Sequence, residues 1–165
     1  ESYNIQYKTN YKCLMPTNTF GPNDNYDALN SHFLPALIKK VHDLKLNNKK
    51  ELILWGNGLA KREVIYVDDI ADACIFFMKK NFFGTILNIG TGKDFLIKQY
   101  AKIILNKIIP KNKIKIKYDL SKPNGTLRKV LDIKLANKYG WKPKTKLDEA
   151  ITKTYKNFLE NNKIA

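Results

Sequence analysis

Arginine is nearly missing from this chain: of its 30 Lys and Arg residues, only Arg62 and Arg128 are Arg. Cysteine is as scarce, with Cys13 and Cys74 alone. Two cysteines so far apart form no CxxC pair, zinc-ligand spacing or disulfide framework, and they fit a reducing, cytoplasmic setting. No run of 18 apolar residues occurs, so no transmembrane helix is expected, and no basic-then-apolar leader opens the chain. G-x-G-x-x-G and P-loop patterns are both absent, so these residues carry no complete dinucleotide-binding motif. There is no internal repeat and no low-complexity linker.

What is present suffices for a folded domain. The 165 residues are 44% hydrophobic and 12% aromatic, which excludes a disordered tail. The net charge of +15 raises nucleic acid as a partner. The lysines, however, are scattered, with no RGG segment and no basic block of five. Scattered ammonium groups attract polyanions only weakly and in a salt-sensitive way, so a solvated lysine surface is preferred over a nucleic-acid face.

The chain opens without Met, and residues 1–9 read as the end of a helix whose start lies upstream. Residues 11–17 read as a buried strand, followed by a Gly/Pro/Asn loop from Asn18. Leu34, Leu37, Ile38, Val41 and Leu44 recur at three and four and predict a helix over 31–46, with Asn30 or Ser31 as N-cap. Strands are expected at 51–55, 63–67, 85–90 and 113–118, with a short one at 127–132. Asp68 or Asp69 would cap a helix to about 80 that buries Ile70, Ala73, Cys74 and Phe77. Asp94 or a neighbour would start a helix carrying Ile97, Ala101, Ile104 and Ile108. Two helices, about 133–139 and 147–160, close the chain. Alternating strands and helices argue for an α/β fold with a parallel sheet and a mixed region beside it.

Several residues invite chemistry. Gly90-Thr91-Gly92 between a strand and a helix is either an anion cradle or a tight turn. Tyr118-x-x-x-Lys122 spells a Tyr/Lys dyad, but it falls where a strand enters a Pro-Gly loop, and the dyad needs a helix. His32, at a helix start behind a polar loop, either bonds locally or exchanges a proton near neutrality. His42, mid-helix, reads as a solvent-side or packing residue. Trp55 and Arg62 bracket the Gly56-Asn57-Gly58 turn, where an aromatic face can meet a sugar or base and a guanidinium can grip phosphate. Asp68-Asp69 lacks partners for a metal.

These residues fall into strings that resemble the GDP-L-fucose synthase family of extended short-chain dehydrogenases. They are Pro16-Thr17-Asn18-Thr19-Phe20-Gly21-Pro22-Asn23-Asp24-Asn25, Asn30-Ser31-His32-Phe33-Leu34-Pro35-Ala36-Leu37, Trp55-Gly56-x-Gly58, Arg62-Glu63-Val64-x-x-Val67-Asp68-Asp69, Asn88-Ile89-Gly90-Thr91-Gly92 and Lys122-Pro123-Asn124-Gly125-Thr126-x-Arg128-Lys129. The resemblance implies the C-terminal half of a longer enzyme. Residues 1–30 and about 68–92 would contribute to a Rossmann sheet, and about 31–67 and 93–165 mainly to a substrate-binding region. It also implies C3/C5 epimerisation and NADPH-dependent C4 reduction of GDP-4-keto-6-deoxy-D-mannose to GDP-L-fucose, in a cytoplasmic homodimer.

Carried over residue by residue, His32 is the acid/base group and also faces the cofactor. Pro16, Thr17, Asn18 and Thr19 line the NADP(H) pocket, while Lys40, Trp55, Arg62 and Asn124 hold the GDP-sugar, and no metal is implied. Asn124 stands where the family commonly has Asp, and Thr19-Phe20 where Leu-Tyr is usual. Two rival readings are another nucleotide-sugar epimerase, dehydratase or reductase of the same superfamily, and a non-catalytic module binding a nucleotide sugar or nucleic acid.

Overall fold

Three consecutive buried residues, Val64, Ile65 and Tyr66, decide how the molecule is layered. They lie in β4 (Lys61–Tyr66). Successive strand side chains point to opposite faces, so both faces of this strand must be covered. Val64 and Tyr66 enter one hydrophobic core, and Ile65 enters a second. The computed structural model describes residues 1–27, 30–80, 86–111 and 113–161.

Before β4 come α1 (Ser2–Tyr7), β1 (Cys13–Pro16), β2 (Asn18–Phe20), α2 (Phe33–Leu46) and β3 (Glu51–Trp55). After it come α3 (Val67–Lys79), β5 (Ile86–Ile89), β6 (Asp94–Leu96), α4 (Ile97–Ile108), β7 (Lys115–Asp119), β8 (Arg128–Lys129), α5 (Lys134–Lys138) and α6 (Leu147–Asn161). The pairs β1–β5, β2–β4 and β3–β7 are parallel. β4 divides its length: Val64–Tyr66 hold β2, while Lys61–Glu63 hold β6 antiparallel and Lys61–Arg62 hold β8 parallel. The architecture is α/β with parallel pairing, as the alternation of strands and helices predicts.

The first core is built by the α2 stripe Leu34, Leu37, Ile38, Val41 and Leu44 against Ala101, Ile104 and Ile108 of α4 and Ile151 of α6. His42 is a packing residue there. Its Nδ1 lies 3.0 Å from the Tyr155 hydroxyl, its ring lies 5.0 Å from Phe158, and burial pushes its pKa down. The second core joins Ala73 and Phe77 of α3 to Leu87 and Ile89 of β5 and to Trp141. Among the described residues no helix is long and apolar enough to cross a membrane.

The structure departs from the expected elements where tertiary contacts override local pattern. Residues 18–20, expected as loop, form β2 because β4 offers them a parallel edge. Asp94 begins β6 rather than a helix, since Glu63 and Arg62 of β4 pair with Asp94 and Phe95. β1 is not buried: Cys13, Met15 and Pro16 are exposed, its pairing being with β5 alone among the described residues. Cys74 is exposed on α3. Asp69 is not a cap, since the N-cap of α3 is Tyr66. The Asp69 carboxylate instead accepts hydrogen bonds from the Lys144 and Thr145 amides, while Asp72 accepts from Trp141 Nε1 at 3.0 Å and Lys144 Nζ at 2.8 Å. Thr85 of the expected 85–90 strand lies outside the described residues.

Glu63 is fully buried, although it directly follows the charged pair Lys61-Arg62 in β4. Its Oε1 accepts from the amides of Thr91 at 2.5 Å and Gly92 at 2.7 Å, and its Oε2 from the Leu131 amide at 2.7 Å. A Cβ on Gly90 would sit 2.3 Å from Oε1, so only glycine lets the turn approach. The two readings of Gly90-Thr91-Gly92 meet here. Its amides do face an anion, but that anion is the chain's own carboxylate, and the turn leads into β6.

Glu63→Gln replaces one acceptor with an NH2 that faces an amide N–H. It should lower the unfolding free energy by about 1–3 kcal/mol, with Glu63→Ala costing more because it leaves every buried donor unpaired. Urea unfolding checks this, and an unchanged midpoint for the alanine variant would show that the cradle contributes nothing.

Candidate functional site

A cavity of about 300 Å³ opens between α2, the end of β3, the start of β4 and the loop before β8. That volume is at the small end for a ligand site. Its floor is apolar, with Phe33, Ala36, Leu37, Leu54 and Ile97, and its polar wall is Ser31, Lys40, Trp55, Arg62 and Asn124. The four residues carried over for the GDP-sugar, Lys40, Trp55, Arg62 and Asn124, are thus brought together in one wall.

Helical spacing puts Phe33, Ala36, Leu37 and Lys40 on one face of α2, so Lys40 ends an apolar stripe. It is exposed, and desolvation by the side chains around it pushes its pKa below the ordinary lysine value. Its Nζ lies 5.2 Å from the centroid of the Trp55 ring, and Lys122 Nζ lies 5.7 Å from the same ring. Trp55, the last residue of β3, remains 57% exposed despite both cations, so its ring is open to a ligand.

Arg62 is held by its own neighbours. One guanidinium nitrogen, Nη1, donates to the carbonyls of Lys61 at 2.7 Å and Thr126 at 2.5 Å. The buried Tyr100 hydroxyl donates to the Arg62 carbonyl at 2.8 Å. Burial and the charge of Glu63 push the Tyr100 phenol far up, so it stays a donor. The Nε–Nη2 edge of Arg62 makes no hydrogen bond among the described residues, and such an edge can grip an oxyanion with two parallel bonds. Asn124 Oδ1 accepts from the Asn57 amide at 2.7 Å. Gly56 and Gly58 flank Asn57 with φ of +66° and +69°, a left-handed backbone suited to glycine. The turn between Trp55 and Arg62 is therefore closed from above by the Asn124 loop.

The remaining candidates lie elsewhere. His32 is exposed, serves as the N-cap position of α2 without a side-chain cap bond, and is not in the cavity wall. Pro16, Thr17, Asn18 and Thr19 run from the carboxyl end of β1 into β2. That end of a parallel strand is where open α/β sheets bind ligands. Asn18 Nδ2 donates to the Glu63 carbonyl at 2.8 Å and Thr17 Oγ1 to the same oxygen at 3.4 Å. Asn18 Oδ1 accepts no hydrogen bond among the described residues, and Pro16 is exposed. Arg128 pairs with Asp94 on the surface and holds that carboxyl well below the usual range. Tyr118 lies in β7 and Lys122 in the turn after it, so they share no helix face.

Sequence reasoning missed Glu63 and Tyr100, and met Lys122 only in the rejected Tyr118/Lys122 spelling. Glu63 follows Lys61 and Arg62 directly, so local pattern does not mark it as buried. Nothing local marks Tyr100.

Residues 1–90 match the model of the NAD dependent epimerase/dehydratase family. The chain is 41% identical over 161 residues to a probable GDP-L-fucose synthase 1 of Oryza sativa subsp. japonica, covering 98% of this chain and 48% of that protein. It is 38% identical over 170 residues to the GDP-L-fucose synthase of Escherichia coli (strain K12), covering 98% and 52%. A solved GDP-D-glycero-L-gluco-heptose synthase from Campylobacter jejuni, crystallised in the presence of NADPH, superposes with a TM-score of 0.81 at 31% identity, over 96% of this chain and 55% of that one. The chain spans about half the length of the curated relatives it matches.

Asn124→Ala should release the loop over the turn. Hydrogen exchange at the Asn57 amide should then accelerate roughly tenfold, as expected for losing one bond of about 1 kcal/mol plus the order it maintains. Exchange at the original rate would show that the loop is held by other contacts.

Proposed function

The chain belongs to the NAD dependent epimerase/dehydratase family, and we propose that it is the substrate-binding part of an NADP(H)-dependent enzyme that makes GDP-L-fucose from GDP-4-keto-6-deoxy-D-mannose. The observation that carries this reading is Arg62 in the cavity wall, its Nε–Nη2 edge without a hydrogen bond among the described residues, together with Lys40 and an open Trp55 ring. Fixed guanidinium, ammonium and exposed indole form a set that suits a diphosphate attached to a flat base. Nucleic acid is disfavoured, because a wall of this size accepts one nucleotide rather than a strand.

In this reading residues 1–30 and about 68–92 contribute to the cofactor sheet, and about 31–67 and 93–165 mainly to substrate binding. Arg62 takes two diphosphate oxygens, and Lys40 neutralises the remaining charge. Trp55 stacks against the base, and Asn124 holds the loop that closes the site. Pro16 to Thr19 present the carboxyl end of β1 to the nicotinamide, with Asn18 Oδ1 as acceptor for its carboxamide. When bound, NADPH supplies the hydride that reduces the C4 ketone. The same ketone acidifies the protons at C3 and C5, and His32 serves as acid/base for those exchanges, its ring being exposed at the mouth of α2 next to Ser31 of the wall. The whole enzyme is a cytoplasmic homodimer in this account.

A second reading, a GDP-sugar reductase acting on a different hexose or heptose, draws support from the likeness to the heptose synthase. Incubating the complete polypeptide with NADPH and GDP-4-keto-6-deoxy-D-mannose separates the two. GDP-L-fucose is the expected product. Reduction at C4 without inversion at C3 and C5 would favour the second reading, and no turnover would reject the first. His32→Gln should stop solvent deuterium from entering at C3 and C5 while leaving GDP affinity intact. Exchange at the normal rate would remove His32 from the chemistry.

Lys40 binds an anion only as the ammonium, and desolvation by its neighbours lowers its pKa. Affinity for GDP should therefore fall as pH rises toward that lowered value. Lys40→Met should weaken binding roughly tenfold or more, as expected for a charged hydrogen bond, and should flatten this alkaline arm of a calorimetric pH series. An unchanged alkaline arm in the variant would assign it to another group.

A further inference from the structure

The Ser31 side chain makes no hydrogen bond among the described residues. The sequence suggests it as an N-cap, but the cap position is taken by His32, and no side chain bonds the first amides of α2. The Ser31 amide donates to the Asp27 carbonyl at 3.1 Å. Its Oγ, by contrast, is buried with no hydrogen-bond partner among the described residues. Folded proteins satisfy the great majority of such atoms, so each exception calls for a physical reason. Ser31 also belongs to the cavity wall, and a hydroxyl turns among three staggered χ1 positions at little cost.

We infer that Ser31 is a ligand-contacting residue and that its hydroxyl binds the hexose end of a nucleoside diphosphate-sugar. The inference rests on reading the cavity as a nucleotide-sugar site. The cavity runs along α2 from Ser31 and Phe33, past Ala36 and Leu37, to Lys40. Seven residues of helical rise separate Phe33 from Lys40, about 10 Å. Lys40, Trp55 and Lys122 gather at the far end, where a base and phosphates find cations and an aromatic face. At the near end Ser31, two residues ahead of the helix, offers a neutral hydroxyl. A hydroxyl is both donor and acceptor and so matches a sugar hydroxyl, whereas a phosphate calls for positive charge. The ligand thus lies along α2 with its sugar toward Ser31 and His32.

Calorimetry on the complete polypeptide with GDP and with GDP-L-fucose tests this. Ser31→Ala should weaken GDP-L-fucose about three- to tenfold, the worth of one neutral hydrogen bond, and leave GDP within twofold. Its thermal midpoint should hold or rise, because the lost hydroxyl had no partner. Lys40→Met should weaken both ligands alike. If Ser31→Ala changes neither ligand, or weakens both equally, the inference is overturned while the nucleotide site stands. If the unaltered protein binds neither GDP nor GDP-L-fucose, the reading of the cavity fails and this inference with it. Ser31→Cys keeps the size with a weaker hydrogen-bonding group and gives the same split should the alanine variant fail to fold.

Discussion

One buried carboxylate holds the architecture of the site together. Glu63 fixes the Gly90-Thr91-Gly92 turn through Oε1 and the segment leading away from β8 through Oε2. Its backbone carbonyl receives the side chains of Thr17 and Asn18. Three stretches distant in sequence, 17–18, 91–92 and 131, therefore converge on one residue of β4. A charge so deeply buried is tolerated only because every partner is a donor. The consequence is functional as well as structural. Arg62 precedes Glu63 on the same strand, so the guanidinium of the cavity wall and the 17–18 segment are fixed to each other within a single step of backbone.

In the proposed reading the chain recognises a diphosphate with very little arginine. Its many lysines are mobile point charges on a solvated surface, and they cannot present two parallel donors. The one guanidinium in the cavity wall is immobilised by two carbonyls at Nη1 and by Tyr100 beneath its backbone. A preorganised fork loses little entropy on binding, which is how one arginine can matter more than the lysines around it. Lys40 gains its weight differently: it stays exposed at the end of the apolar stripe, and desolvation by its neighbours lowers its pKa and makes its charge sensitive to pH.

What the sequence disclosed follows the range of the interactions. The α2 stripe, the strand at 51–55, the closing helix after 146 and the Gly56-Asn57-Gly58 turn depend on periodicity and backbone preference, and they lie where local pattern sets them. The cavity residues Lys40, Trp55, Arg62 and Asn124 were legible through a family resemblance and fall together in space. β2 and β6 were not legible, because three-residue strands exist only when another strand supplies the edge. Asp69 looks like a helix-start residue, yet its partners Lys144 and Thr145, like the partner Trp141 of Asp72, sit about 70 positions away and leave no local trace. The same limit applied to Ser31, whose capping role is given up to its neighbour.

The substitution at Asn124 shows how a departure from family pattern can be read physically. A carboxylate there would accept the Asn57 amide equally well, so closure of the turn does not require Asn. What changes is charge. An Asp would place a negative group in the same wall as Arg62 and Lys40, partly offsetting the field those cations present to a diphosphate. Asn keeps the acceptor for the turn, removes the negative charge and adds an NH2 donor. The wall of this chain is therefore more positive than the family pattern implies, with two lysines already drawn to the Trp55 ring. In the proposed reading, that neutral residue leaves a diphosphate held more tightly and released more slowly.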